Sequence, residues 1–125
     1  MSDYRVLHNT RTGEVVLGRA RWCASFLCHF FGLMGRAGLP EGEGLLFVTG
    51  RESKAATTIH MFFMRFSIGV VWLAKDGRVI DKALAKPWRP AYAPKAPAQY
   101  YVEANVSVLD RVEIGDVLAF SDRAT

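Results

Sequence analysis

Only two cysteines, Cys23 and Cys28, occur in 125 residues, and both fall within one apolar stretch. Two thiols so placed do not make the disulfide framework of a small secreted domain, so a reducing compartment is the default and cytoplasmic residence the expectation. Long apolar runs are also missing. The longest uncharged one, Trp22 to Gly35, has about 14 residues against the roughly 20 a membrane-spanning helix needs. A secretory leader fits poorly too, because about 20 strand-like residues precede that run and Gly32-Leu33-Met34-Gly35-Arg36 ends it without a small-residue cleavage site. There is no run of like charges, no internal repeat and no low-complexity tract.

What is present fits one globular domain over residues 1–125, with 50% hydrophobic and 22% charged residues. Folding at this length buries roughly two-thirds of the unfolded chain's surface, enough for a core without metal or disulfide support. Sixteen Lys and Arg against 12 Asp and Glu leave a net charge of +4. Arg5, Arg11, Arg19, Arg21 and Arg36 bias the first third toward phosphate, but without interleaved exposed aromatics they read as a solvated face, and a nucleic-acid partner is not expected.

Local patterns set the expected elements. Tyr4–Asn9 and Glu14–Gly18 flank Thr10-Arg11-Thr12-Gly13 and read as a hairpin. Trp22, Phe26, His29, Phe30 and Leu33 recur at helical spacing and predict a helix over Arg19–Met34, closed by Gly35, Gly38 and Pro40. Leu45–Thr49, Thr58–Met64 and Ile68–Ala74 read as strands, the latter two apolar on both faces. Asp76-Gly77 turns the chain into Arg78–Leu84. Residues 85–98 carry four of the five prolines and must form a long crossing loop. Gln99–Asn105 is a strand, Ser107–Val112 a helical turn and Val117–Phe120 a last strand. The class expected is mainly β, with minor α content: a jelly-roll-like sandwich or partly closed barrel of about eight short strands with one helix.

Gly32-Leu33-Met34-Gly35-Arg36, Gly44-Leu45-Leu46-Phe47, Ile59-His60-Met61-Phe62-Phe63-Met64-Arg65-Phe66, Asp76-Gly77-Arg78-Val79, Lys86-Pro87-Trp88-Arg89 and Ile114-Gly115-Asp116 follow one another in order. Together they resemble the domain of unknown function 192 family, from about residue 14 to residue 120. The resemblance implies a compact β-rich, jelly-roll-like domain with one short helix, and no established activity to transfer. The chain departs from that family at three places. A proline is usual where Ser67 stands, an aspartate where Gly69 stands, and a Leu-Pro-Ala-Gly-like turn where Ala104-Asn105-Val106-Ser107 stands.

The chemistry-bearing residues are few. On the expected helix Cys23 and Cys28 point about 140° apart and His29 about 120° from Cys23, so the three cannot converge on one ion and the cysteines read as core thiols, with His29 as polar relief on the helix; no metal and no cofactor is expected. His60 is a titratable group on a two-sided apolar strand, expected to be buried and structural. No Gly-x-Ser-x-Gly elbow, nearby second histidine or paired carboxylate accompanies it, and no catalytic residue is assigned. Arg65 and Glu103 are candidates to lie near it. Trp88, in the Pro-rich loop, is expected to be a buried anchor, or else part of a binding rim. The candidate ligand-binding set is therefore His60, Arg65, Trp88 and Glu103. The first functional class is a non-enzymatic binding or accessory β domain taking a small molecule or protein at the Pro-rich loop; the second is a small hydrolase-like enzyme built around His60.

Overall fold

A computed structural model describes residues 3–25, 28–29 and 32–122. Seven strands, β1 (Tyr4–Asn9), β2 (Val15–Cys23), β3 (Glu43–Ser53), β4 (Ile68–Leu73), β5 (Val79–Ala85), β6 (Ala98–Ala104) and β7 (Leu118–Asp122), form one sheet in the order β5-β4-β6-β3-β2-β1-β7. Single 3-10 turns lie at Ala55–Thr57 and Val106–Asp110. The molecule is mainly β, as its alternating patterns predict. All neighbours are antiparallel except β2 and β3.

The sheet curls until its two edges meet. Arg78 bridges Val117, the amide of Leu118 donates to the Gly77 carbonyl at 2.9 Å, and the amide of Val79 donates to the Asp116 carbonyl at 2.7 Å. Gly77 makes this approach feasible. Its φ is +89°, and a Cβ there would run into the carbonyl oxygen of Leu118. The Asp-Gly turn expected from sequence thus serves both the β4–β5 hairpin and the closure with β7.

Both faces of the central strands are buried. Every residue of β4 is out of water, with Ile68, Val70 and Trp72 in one core and Val71 and Leu73 in the other. The inner core lies within the curl, where Leu7, Leu17, Leu46 and Leu118 pack with Val108 of the second 3-10 turn. The outer core is covered by the three long connections, which contribute Leu33, Ile59, Met61 and Met64 as buried lids and Tyr92 and Ala96 as half-buried ones. Residues 86–97 form the expected Pro-rich crossing loop, joined to the 54–67 connection by an Ile59–Tyr92 bridge. Trp72 Nε1 donates to the Thr57 carbonyl at 2.7 Å and anchors the first 3-10 turn.

Three expectations are corrected. Thr58–Met64 is not a strand: it has only the Ile59 bridge, and Phe63 adopts φ +64°. Its apolar residues alternate because Ile59, Met61 and Met64 plug the outer core while Phe62 and Phe63 face solvent. The helix does not begin at Arg19. Arg19–Cys23 continues β2 in parallel register with β3, and the described helical backbone is a turn in which His29 N–H donates to Ser25 O at 3.0 Å and Gly32 N–H to Cys28 O at 2.9 Å. Phe26 and Phe30 of the predicted helix lie outside the described residues. Finally, Cys23 and Cys28 are not free core thiols but a disulfide. With Cys23 ending a strand and Cys28 opening a helical turn, their Cα atoms lie 5.6 Å apart, and the divergence expected on a continuous helix does not arise.

Beside the closure sits a buried carboxylate. Asp116 accepts from Arg11 Nε at 2.6 Å and Nη2 at 3.0 Å, from Asn9 Nδ2 at 2.8 Å and from the Glu113 amide at 2.8 Å. These bonds, the Arg11 side chain's first, hold its carboxyl well below the usual carboxylate range. A depressed folded-state pKa stabilises the protein above the unfolded value near 4, and that contribution is lost as pH falls further. Asp116→Ala should cost about 2–3 kcal/mol at neutral pH, read by urea titration, and the difference from the parent should shrink below about pH 4. Reduction, or the Cys23→Ser and Cys28→Ser double variant, should cost about 2 kcal/mol by the loop-closure entropy of so short a ring, measured by denaturant titration with and without reductant.

Candidate functional site

Glu103 occupies an unusual place for a carboxyl. It lies on the outer-core face of β6, opposite Leu45 of β3 and Val70 of β4, and is only 8% exposed. Neither carboxyl oxygen has a hydrogen-bond partner among the described residues. Burial pushes its pKa up to about 8, so at neutral pH the group is largely protonated. Tyr101, two residues along the same strand face, is also pushed up, by burial first and by the Glu103 charge second.

Above this pair is a cavity of about 70 Å³, whose walls include Leu33, Phe47, Ile59, Met61 and Met64. Phe47 and Tyr101, paired across β3 and β6, stack with ring centroids 4.5 Å apart. His29 meets both rings edge-on, at 5.2 and 6.0 Å. Its Nε2 lies 2.9 Å from the Val48 carbonyl, which can only accept, so Nε2 carries the hydrogen. In the neutral ring Nδ1 is then the acceptor, facing the Tyr101 hydroxyl at 3.4 Å. Gly32 lets the crossing chain come down on this floor: at φ +46°, its Cβ position lies 3.4 Å from Phe47 Cζ and 3.8 Å from Glu103 Oε1.

Of the four residues singled out by sequence, the cavity gathers two. Glu103 forms the floor and His60 the mouth. His60 is exposed, contrary to expectation, because its segment is a lid rather than a strand; its Nδ1 accepts from the Phe62 amide at 3.2 Å. Arg65 is exposed and lies away from the cavity lining. Trp88 is not the expected buried anchor. It is 57% exposed, because φ +68° turns it outward while its amide is held by the Met61 carbonyl at 2.6 Å; Tyr92 and Ala96 hold the loop to the core instead. Sequence reasoning missed His29 and Tyr101 as lining residues. Tyr101 was within reach, since a residue two positions from Glu103 on a strand shares its face. His29 was hidden by the disulfide-bounded turn that places it.

Chemically, the site offers a protonated carboxyl able to donate one hydrogen bond, a phenol, two imidazoles and apolar walls. No serine is among the described lining residues, Thr58 there donates its hydroxyl to the Lys54 carbonyl at 2.8 Å, both cysteines are bridged, and the described residues hold no group of three His, Cys, Asp or Glu side chains arranged for a metal ion.

The chain resembles proteins in other organisms. UPF0127 proteins of Thermococcus kodakarensis and Pyrococcus furiosus are 36% and 34% identical over 115 residues, which in each case are 90% of this chain and are 71% and 96% of the respective relative. A solved structure from Sinorhizobium meliloti, described as a candidate transcription regulator, superposes with a TM-score of 0.83 at 23% identity, covering 94% of this chain and 92% of that one. A Novosphingobium aromaticivorans protein of unknown function gives 0.79 at 21% identity, covering 93% and 83%. These two likenesses establish the fold. The model of the DUF192 family, described as an uncharacterised ACR, matches residues 7–120, and the chain belongs to that family.

Proposed function

We propose that this chain is a non-enzymatic ligand-binding β domain whose recognition site is the Glu103 cavity. Of the two architectures expected from sequence, jelly-roll-like sandwich and partly closed barrel, the curl that brings β5 to β7 supports the barrel, with the binding site on its outer face. One observation carries the functional reading: a carboxyl 8% exposed, without a partner, facing a cavity walled by apolar side chains. Its oxygens are not sealed from water, so a molecule entering the cavity can reach the carboxyl and take the place of solvent there. His60 at the mouth and Tyr101 at the floor are positioned to add polar contacts. Arg65 and Trp88, named with them from sequence, would act outside the cavity. The hydrolase-like alternative gains from His60 and Glu103 sharing one cavity, and loses because the described lining has no serine or free thiol and its Thr58 hydroxyl donates to the Lys54 carbonyl rather than to a general base.

Among the described residues no helix is long and apolar enough to cross a membrane. A bridged cysteine pair persists in oxidising compartments and is rare in the cytosol, so the Cys23–Cys28 bond weighs against the cytoplasmic residence expected from sequence.

The raised pKa supplies the test. The unfolded carboxyl ionises near pH 4.5 and the folded one near 8, so between those values the folded state binds the extra proton and stability falls with rising pH. Glu103→Gln should remove this slope and be more stable than the parent at pH 8 by about 3–5 kcal/mol, with little difference near pH 4. Urea titrations from pH 4 to 9 measure it. Equal pH profiles for the two proteins would mean that Glu103 is solvated or paired, and the binding reading would lose its support.

A further inference from the structure

Beyond the cavity, the two lid loops present a second surface. Phe63 and Trp88 are 58% and 57% exposed, with ring centroids 5.1 Å apart. They are also the two non-glycine residues with positive φ among those described, at +64° and +68°. Bulky side chains rarely adopt this backbone, and such residues gather where a surface is held ready for a partner. Here the conformation is held from three directions. Trp88 N–H donates to the Met61 carbonyl, Met61 N–H to the Arg89 carbonyl at 2.9 Å, and Gly35 N–H to the Phe63 carbonyl at 3.0 Å. Phe62, 40% exposed, lies alongside with its ring 5.4 Å from that of His60.

The charges around these rings have one sign. No Asp or Glu occurs from Lys54 to Lys75 or from Lys82 to Val102. Arg65 and Arg89, within two residues of Phe63 and Trp88, are exposed, as are Lys86 and Arg36, the latter next to the glycine bonded to Phe63. None of these four side chains has an ion-pair partner among the described residues, whereas Arg11, Arg19, Lys95 and Arg111 elsewhere each do.

We infer that this aromatic and basic face binds single-stranded nucleic acid, with bases stacked on Phe62, Phe63 and Trp88 and phosphates held by Arg36, Arg65, Lys86 and Arg89. Stacking on exposed rings beside a cationic track is the sequence-tolerant way of holding a single strand. Three of the four cations are arginines, whose planar fork fits phosphate oxygens in pairs. Duplex is disfavoured, because its bases are already stacked and the face is made of loops, with no helix or ribbon to enter a groove. A lipid surface is disfavoured because aromatics and arginines interleave along the loops, Trp88 beside Arg89, instead of forming an apolar tip collared by cations. Elsewhere in the N-terminal third, Arg5 and Arg19 lie over the rings of Trp22 and Tyr4, which are half-buried rather than exposed. The lid loops supply what that region does not, and the surface lies outside the Glu103 cavity.

The experiment is fluorescence anisotropy of labelled dT12 and U12 with the full chain at 20–200 mM NaCl. Binding is expected to weaken with salt at a log–log slope of about −2 to −3, as about three or four phosphate contacts on a single strand give. Trp88→Ala and Phe63→Ala should each weaken it roughly 10-fold or more, and Arg65→Glu with Arg89→Glu should abolish it at 100 mM NaCl. Because the rings are exposed, these variants should keep the parent's urea midpoint; Trp88→Gly, which suits the positive φ, provides a second variant should Trp88→Ala unfold. No binding at 20 mM NaCl overturns the inference. So does binding indifferent to Trp88, equal affinity for a 12-base-pair duplex or polyglutamate, or Trp88-dependent sedimentation with phosphatidylserine vesicles in the absence of oligonucleotide binding.

Discussion

Burial of both faces of β4, β6 and the first half of β3 is the constraint from which the rest of this molecule follows. A sheet wet on one side needs one core; this one has two, and the curl encloses only the inner. The outer face is sealed instead by three connections that carry their own apolar plugs, Leu33, Ile59, Met61 and Met64. Loops seal less completely than strands or helices. The cavity over Glu103 lies where those lids converge, so the architecture that protects the central strands also creates the site.

That constraint explains which features were legible in the sequence. The hairpins, β4, the Asp76-Gly77 turn and the proline-rich crossing loop were readable because local rules and tertiary packing agree there. Thr58–Met64 misled because a lid that buries Ile59, Met61 and Met64 can imitate the two-faced pattern of a central strand. Arg19–Cys23 misled because its helical spacing yields to pairing with β3, a partner 24 residues away along the chain at Arg19–Glu43. Glu103 was legible as a carboxylate on a late strand. His60, expected to be buried on a two-sided strand, is exposed at the cavity mouth because its segment is a lid, and Trp88 was placed inside because nothing in the sequence announces a left-handed tryptophan.

Two of the departures from family wording are neighbours in space. Gly69, where an aspartate is usual, faces the inner core, and a Cβ there would lie 2.7 Å from Val108 Cγ1 and 3.1 Å from the Asn105 carbonyl. Asn105 belongs to the segment that departs from the usual Leu-Pro-Ala-Gly-like turn. The close seat of Val106–Asp110 on β4 therefore accounts for a missing side chain at 69. A larger residue there would have to displace that turn.

The pairing of β7 with β1 along Arg5–Asn9, together with its bridge to β5, has a consequence for how the chain folds. The N-terminal hairpin can form early, but its outer edge stays unpaired until residues 118–122 arrive. Contacts so distant in sequence make a domain fold slowly for its size. During synthesis β1 exposes a bare strand edge until residues 118–122 have been made, the interval in which strand-to-strand association with other molecules competes with folding. Once β7 is seated between β1 and the start of β5, that edge is covered.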